Sequence, residues 1–174
     1  ELFQALQDEL YNTQIISSDS TSFNELVATG VMSGTDATFI KAVITFCHTN
    51  LAHNKPDQFD PEVVQRAFLA QPEISQQLVK LFHARFKPNL AERETIYTEL
   101  LQETKNKIDN FNTGRRFLDE TRRVIFRCAM SFITHCLKTN FFVDEKHALA
   151  FRLDPVYLEE LGDDFTADLP KERP

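Results

Sequence analysis

The spacing of apolar residues constrains the fold of this chain more than any other feature of its sequence. Apolar side chains recur every three or four positions in most segments, as on one face of an α-helix. Asp60-Pro61 and Gln71-Pro72 each start such a segment, since proline in the first helical turn loses no hydrogen bond. The longest segment, about 117–140, is apolar on most sides and predicts a buried central helix. Two further helices are predicted near the start of the chain, over 2–16 and 22–30.

The apolar spacing changes from that of a helix to that of a strand after Asp144. Leu149, Phe151 and Leu153 alternate with smaller or polar residues, which is typical of a β-strand. No second segment shows this pattern clearly, so the sequence offers no partner for the strand's backbone groups. We therefore predict a mainly α fold: a multi-helix bundle of six to eight helices with one short C-terminal strand at about 148–153.

The chain length of 174 residues fits one domain of ordinary size. We predict a single helical domain over 1–174, with a candidate internal boundary near 53–60, where Pro56 interrupts the apolar pattern. The last part, 154–174, is rich in Asp and Glu, and we expect this acidic tail to be loosely held. Because the chain starts without Met and stops at Pro174, we expect it to be a piece of a longer protein.

Charge and composition argue against several classes of function. The formal net charge is −7 and the isoelectric point is near 5.2, which argues against binding to nucleic acids or to anionic membranes. No apolar run approaches the roughly 18 residues needed to cross a bilayer. The four glycines are scattered, whereas phosphate-binding loops need clustered glycines, so we expect the chain itself to bind no cofactor. Three cysteines without the spacing of a disulfide framework indicate reduced thiols and a cytoplasmic protein.

Two groups of residues contain the side chains that metal sites or thiol catalysis require. Cys128 and Cys136, with His135 between them, lie about 12 Å apart along a helix axis, and one ion with bonds of about 2.3 Å to sulfur cannot join both thiols. Cys47, with His48 and His53 nearby in the sequence, could form a nucleophile and its base. Neighbouring side chains on a helix diverge by about 100°, however, and no orienting Asn or Asp is recognisable. We therefore predict no metal ligand and no catalytic residue in this chain.

A run of arginines between Arg115 and Arg127 forms a local positive cluster in this acidic chain. Salt bridges to acidic residues of the same domain or of a neighbouring domain are the simplest interpretation. An anionic ligand would also fit, and the sequence does not distinguish between these partners.

Two motifs near the C-terminus point to one family. KTNFF at 138–142 is followed, after a short loop, by ALAFRLDP at 148–155. In this order they resemble the large NAD-dependent glutamate dehydrogenases, in which (K/R)TN(F/Y)(F/Y) leads through a short loop to AL(A/S)F(R/K)LDP. The resemblance covers about residues 105–174, whereas we expect no resemblance over 1–104. The motif positions at which we expect an interdomain contact are Lys138, Thr139, Asn140, Phe141, Phe142, Phe151, Arg152 and Asp154.

The resemblance implies a parent enzyme that converts glutamate and NAD to 2-oxoglutarate, ammonia and NADH. Its catalytic lysine and aspartate and its NAD-binding Rossmann unit would all lie C-terminal to this chain. The chain would then be the non-catalytic helical region directly before the catalytic core, with a role in packing, oligomerisation or regulation. Its partners would be the catalytic domain of the same polypeptide and further copies in a homo-oligomer. The alternative is a stand-alone cytosolic module for protein–protein interaction whose motifs match by chance.

The resemblance also implies a role for the predicted strand at 148–153, which would join the edge of the catalytic domain's sheet. In the isolated chain one side of this strand would be unpaired, and such edges recruit other strands. We expect either that two copies pair through this edge, which we favour, or that the strand folds back on its own helices. The apolar side chains that would be exposed beside it are Phe141, Phe142, Leu149 and Phe151.

Overall fold

The structure, a computed structural model, describes residues 32–53 and 55–157. These residues form five α-helices followed by a two-stranded sheet, which confirms the mainly α class. Five helices are fewer than the six to eight expected, and the predicted helices over 2–16 and 22–30 lie outside the described residues, as does most of the acidic tail. In chain order the elements are α1 (Gly34–Ala52), α2 (Pro61–Leu69), α3 (Pro72–Phe86), α4 (Arg93–Asp109), α5 (Arg116–His135), β1 (Cys136–Thr139) and β2 (Phe151–Leu153).

Local side-chain chemistry sets the first residues of the early helices. Ser33 caps α1: its hydroxyl oxygen accepts the backbone N–H of Asp36 at 3.1 Å, and its O–H donates to the Asp36 carboxylate at 2.7 Å. Asp60 caps α2 by accepting the backbone N–H groups of the two residues after Pro61, which satisfies donors that the helix itself leaves free. The starts predicted at Asp60-Pro61 and Gln71-Pro72 are therefore confirmed.

Helix α5 is the centre of the bundle, because it packs against α1, α2, α3 and α4. Its buried face carries the residues that the wide apolar pattern predicted, among them Ile125, Phe126, Ala129, Phe132 and Ile133. Helix α4 lies at the periphery and packs mainly on α3, with only Thr104 and Ile108 buried. Within the described part of the chain, no helix is both long and apolar enough to cross a membrane.

The long helix ends earlier than predicted, and the sheet has two strands instead of one. Helix α5 stops at His135, and Cys136 already has an extended backbone. The next residues form β1, which pairs antiparallel with β2. The backbone N–H of Asp154 donates to the carbonyl oxygen of His135 at 2.9 Å, so a contact with a later part of the chain satisfies a carbonyl at the helix end. The predicted strand at 148–153 is thus confirmed only over Phe151–Leu153, and the expectation that it has no partner is wrong.

Candidate interdomain surface

The sheet brings the two family motifs side by side. Lys138 pairs with Arg152, and Thr139 pairs with Phe151, across the two strands. The register then shifts between Cys136 and Lys138. Residues that are separate in the sequence therefore form one continuous surface at the end of α5, which we call the motif surface: β1, the loop that follows it, and β2.

Asn140 organises the loop between the strands. Its side-chain N–H donates to the carbonyl oxygen of Ala148 at 2.8 Å, and its Oδ1 accepts the backbone N–H of Ala150 at 2.7 Å. The hydroxyl oxygen of Thr139 accepts the backbone N–H of Phe141 at 3.0 Å. Short polar side chains that bond to nearby backbone groups are typical of turns. The Thr and Asn of the KTNFF motif thus have a structural explanation within this domain.

The phenylalanines of the motifs pack against the helices. The ring centroid of Phe141 lies 5.1 Å from that of Phe82 in α3, and the centroid of Phe151 lies 5.0 Å from that of Phe132 in α5. Phe141 is only 4% exposed, while Phe142 and Phe151 are half-buried, as is Leu149. The expectation that these four side chains form exposed apolar surface is therefore wrong, because the strand folds back on its own helices.

Other large apolar side chains are exposed instead. Among the described residues these are Phe117 (76% exposed), Val143 (56%) and Leu137 (47%). Leu137 was expected inside the buried helix, but it lies in β1, at the point where the register shifts. The sequence carried no local signal for this, because Leu137 continues the apolar spacing of α5.

The charged motif residues divide into one structural residue and two exposed cations. Asp154 caps the turn after β2, since its carboxylate accepts the backbone N–H of Val156 at 3.1 Å. Lys138 and Arg152 are exposed, on the side of the sheet opposite to the phenylalanine cluster. The motif surface therefore has an aromatic inner face and a cationic outer face.

A groove of about 480 Å³ lies between α3 and α4, beside the cluster of phenylalanine rings described above. Asp36 and His83 form a hydrogen-bonded pair in its wall, with 2.8 Å between Asp36 Oδ1 and His83 Nε2. Burial acts to raise the pKa of Asp36, but hydrogen bonds from His83 and Ser33 outweigh it and hold this pKa below its ordinary value. The ring of His83 also packs edge-on against Phe141 and Phe142. The pair thus fastens α1 to α3 under the motif surface.

The arginine cluster has partners within the domain, which favours the salt-bridge interpretation. Two of these contacts are salt bridges between exposed side chains, and such salt bridges contribute little to stability. The salt bridges join Arg127 to Asp109 at 2.8 Å and Arg116 to Glu120 at 3.2 Å. The half-buried Arg123 instead donates to the carbonyl oxygen of Phe111 at 2.7 Å.

The three thiols are buried, as expected. Cys47 of α1 lies against Cys128 of α5, and its sulfur is 3.7 Å from the carbonyl oxygen of Ile125. Burial, reinforced by Cys128, raises the pKa of Cys47 well above its ordinary value, and burial raises the pKa of Cys136 to about 11. Protonated thiols are poor nucleophiles and poor metal ligands. The described residues contain no group of three or more His, Cys, Asp or Glu that could hold a metal ion.

A family model matches part of the chain. The family model described as glutamate dehydrogenase, helical motif 3, matches residues 17–88. The chain resembles a helical region of glutamate dehydrogenase. This match lies within 1–104, so the expectation that this part carries no resemblance is wrong. The matched stretch ends before the KTNFF motif, and the resemblance over 105–174 stays a prediction. No curated protein and no solved structure matches the chain.

Proposed function

We propose that this chain is a non-catalytic helical domain of an NAD-dependent glutamate dehydrogenase, whose parent protein oxidatively deaminates glutamate to 2-oxoglutarate. The match at 17–88 supports the glutamate dehydrogenase origin, and the motifs at 138–155 support the NAD-dependent class. The observation that carries the proposal is that the two resemblances share one core. The ring centroid of Phe39, in the matched stretch, lies 6.2 Å from that of Phe151 in the motifs. The ring centroid of Phe82, also in the matched stretch, lies 5.1 Å from that of Phe141.

The role that fits these contacts is packing against the catalytic domain of the same polypeptide. The motif surface contains β2, the last strand of the described residues, and the exposed Lys138 and Arg152 on it have no ion pair within the described residues. NAD and glutamate would be bound by the parent's catalytic domain, in the cytoplasm, while this domain supports assembly of the parent as a homo-oligomer.

Glutamate oxidation by the full-length gene product tests the proposal. With glutamate and NAD we expect NADH formation, followed by absorbance, and little activity with NADP in place of NAD. The 174-residue chain alone should form no NADH and should show no NAD binding by calorimetry. Saturable NAD binding by the chain alone, tighter than millimolar, would contradict its non-catalytic role. A full-length product without glutamate oxidation would instead favour the stand-alone interaction module.

A further inference from the structure

Lys138 and Arg152 are two cations placed directly opposite each other in the sheet. Their Cα atoms are partners in the register of β1 and β2, and both side chains are exposed. Directly opposite residues of an antiparallel pair project to the same face, with Cβ atoms about 4.5–5.5 Å apart, and like charges in this position are destabilising. The outer face of the motif surface thus carries a repulsive pair.

Nothing within the described residues neutralises this pair. Some other cations of the domain have carboxylate partners, as Arg66 has with Glu62 and Lys107 has with Glu103. The protein is acidic overall, with a net charge of −7, so carboxylates are abundant. Because the two cations lie directly opposite each other, a carboxylate supplied by a binding partner would relieve their repulsion.

The backbone of β2 has a free edge beside these cations. Along β2, residues whose backbone groups bond to β1 alternate with residues whose backbone groups do not. Two hydrogen bonds show which residues bond: Asn140 N–H donates to the Ala150 carbonyl, and Asp154 N–H donates to the His135 carbonyl. In this alternation the N–H and C=O groups of Phe151 and Leu153 point away from β1. They have no hydrogen-bond partner within 32–53 and 55–157. Free groups of this kind are a template for another strand.

We propose that the free edge of β2 binds an extended strand that carries a carboxylate opposite Arg152. The strand would continue the ladder through Phe151 and Leu153, and its carboxylate would neutralise the cationic pair. Only the source of the strand, the parent's catalytic domain, rests on the proposed function; the chemistry of recognition does not.

A second copy of the chain is a poor occupant of this edge. Two β2 strands related by a two-fold axis pair antiparallel, with Phe151 bonded to Leu153 of the other copy. This register places Arg152 opposite Arg152 of the other copy, which adds a further like-charge contact. The self-association favoured from the sequence is therefore not expected through this edge in this register.

Binding of a matched peptide pair to the 174-residue chain tests the proposal. Both peptides alternate Val and Thr around a central residue, which is Glu in one and Lys in the other. We expect the Glu peptide to bind roughly tenfold more tightly, the factor that corresponds to replacing a like-charge by an opposite-charge contact, and to shift the amide NMR signals of Phe151 and Leu153. A Glu peptide with methylated backbone nitrogens on its bonding edge should not bind. Equal binding of the Glu and Lys peptides would overturn the proposal.

Arg152→Glu separates a docking role from a merely structural one. The substitution places a carboxylate opposite Lys138, so the melting temperature of the isolated chain should rise while the preference between peptides reverses. Lys105→Glu, an exposed change of the same net charge on α4, should leave the preference unchanged. An unchanged or lower melting temperature for Arg152→Glu would mean that the pair is already neutralised, for instance by the acidic residues after 157, and would overturn the proposal. The proposal would also be overturned if light scattering showed dimers of the wild-type chain that the Arg152→Glu substitution abolishes. None of these readouts depends on glutamate oxidation.

Discussion

Phe132→Ala tests how the sheet is held to the helical bundle. The Phe132 side chain is 3% exposed, and its ring centroid lies 5.0 Å from that of Phe151 in β2 and 4.9 Å from that of Phe46 in α1. Truncation of a buried phenylalanine costs about 3–5 kcal/mol, because transfer free energy is lost and a cavity remains. Since the ring contacts two different elements, neither can move in alone to fill the space. We therefore expect a loss of about 4 kcal/mol, a large part of the 5–15 kcal/mol that stabilises a typical domain.

Phe117→Ala is the matched control, because it removes the same atoms from the same helix. Phe117 is 76% exposed, and its loss should change the free energy of unfolding by less than about 0.5 kcal/mol. Urea unfolding followed by circular dichroism gives both values, and their difference reports burial with little contribution from helix propensity. A difference below about 1 kcal/mol would refute the packing described for Phe132. Amide exchange in β1 and β2 should also be faster in Phe132→Ala.

Three further predictions concern single side chains. Asn140→Ala loses two hydrogen bonds to the loop and should lower the free energy of unfolding by about 1–3 kcal/mol in urea, whereas Asn110→Ala, which loses one exposed bond, should cost less than about 0.5 kcal/mol. For Asp36, burial acts to raise the pKa, but the bond from His83 helps to hold it below its ordinary 3.8. The stability from the ionised carboxylate is present above the unfolded-state pKa and is lost as pH falls through the lower folded-state pKa, so thermal melts should show a loss below about pH 4 that Asp36→Asn reduces. For Cys136, with a pKa raised to about 11 by burial, the native thiol should resist a thiol reagent at neutral pH, and stability should fall as pH rises from about 9 to 11, because the unfolded chain ionises first.

The sequence predicts those parts of the fold that neighbouring residues determine. The start of α2 depends on the Asp60 carboxylate and two backbone N–H groups within three residues of it, and the stop of α3 comes directly before Lys87-Pro88. Proline restricts the residue before it and cannot continue the helix. The burial of α5 follows equally from its own apolar face, so each of these features was recognisable from a short stretch.

The end of α5 depends on residues far along the chain. Cys136–Thr139 continues the helical spacing of apolar residues, and only its pairing with Phe151–Leu153 makes it a strand. The same fold-back determines which phenylalanines are buried: Phe141 and Phe151 are covered by Phe82 and Phe132. The composition shows that phenylalanine rings are abundant, but it does not show which residues each ring contacts. The sequence therefore identifies the residues of the motif surface, but the expectation that its four apolar side chains are exposed is wrong.

The alternation of β2 links the core of this domain to its outer surface. Phe151 points inward to Phe132, and Arg152, the next residue, points outward beside Lys138. Successive side chains of a strand project to opposite faces, so the inward ring sets the position of the outward guanidinium. If the free edge of β2 binds a strand of the catalytic domain, the packing of Phe132 determines where that strand can lie. Phe132→Ala should then weaken binding of the Glu peptide as well as lower the stability of the fold, whereas Phe117→Ala should change neither the binding nor the stability.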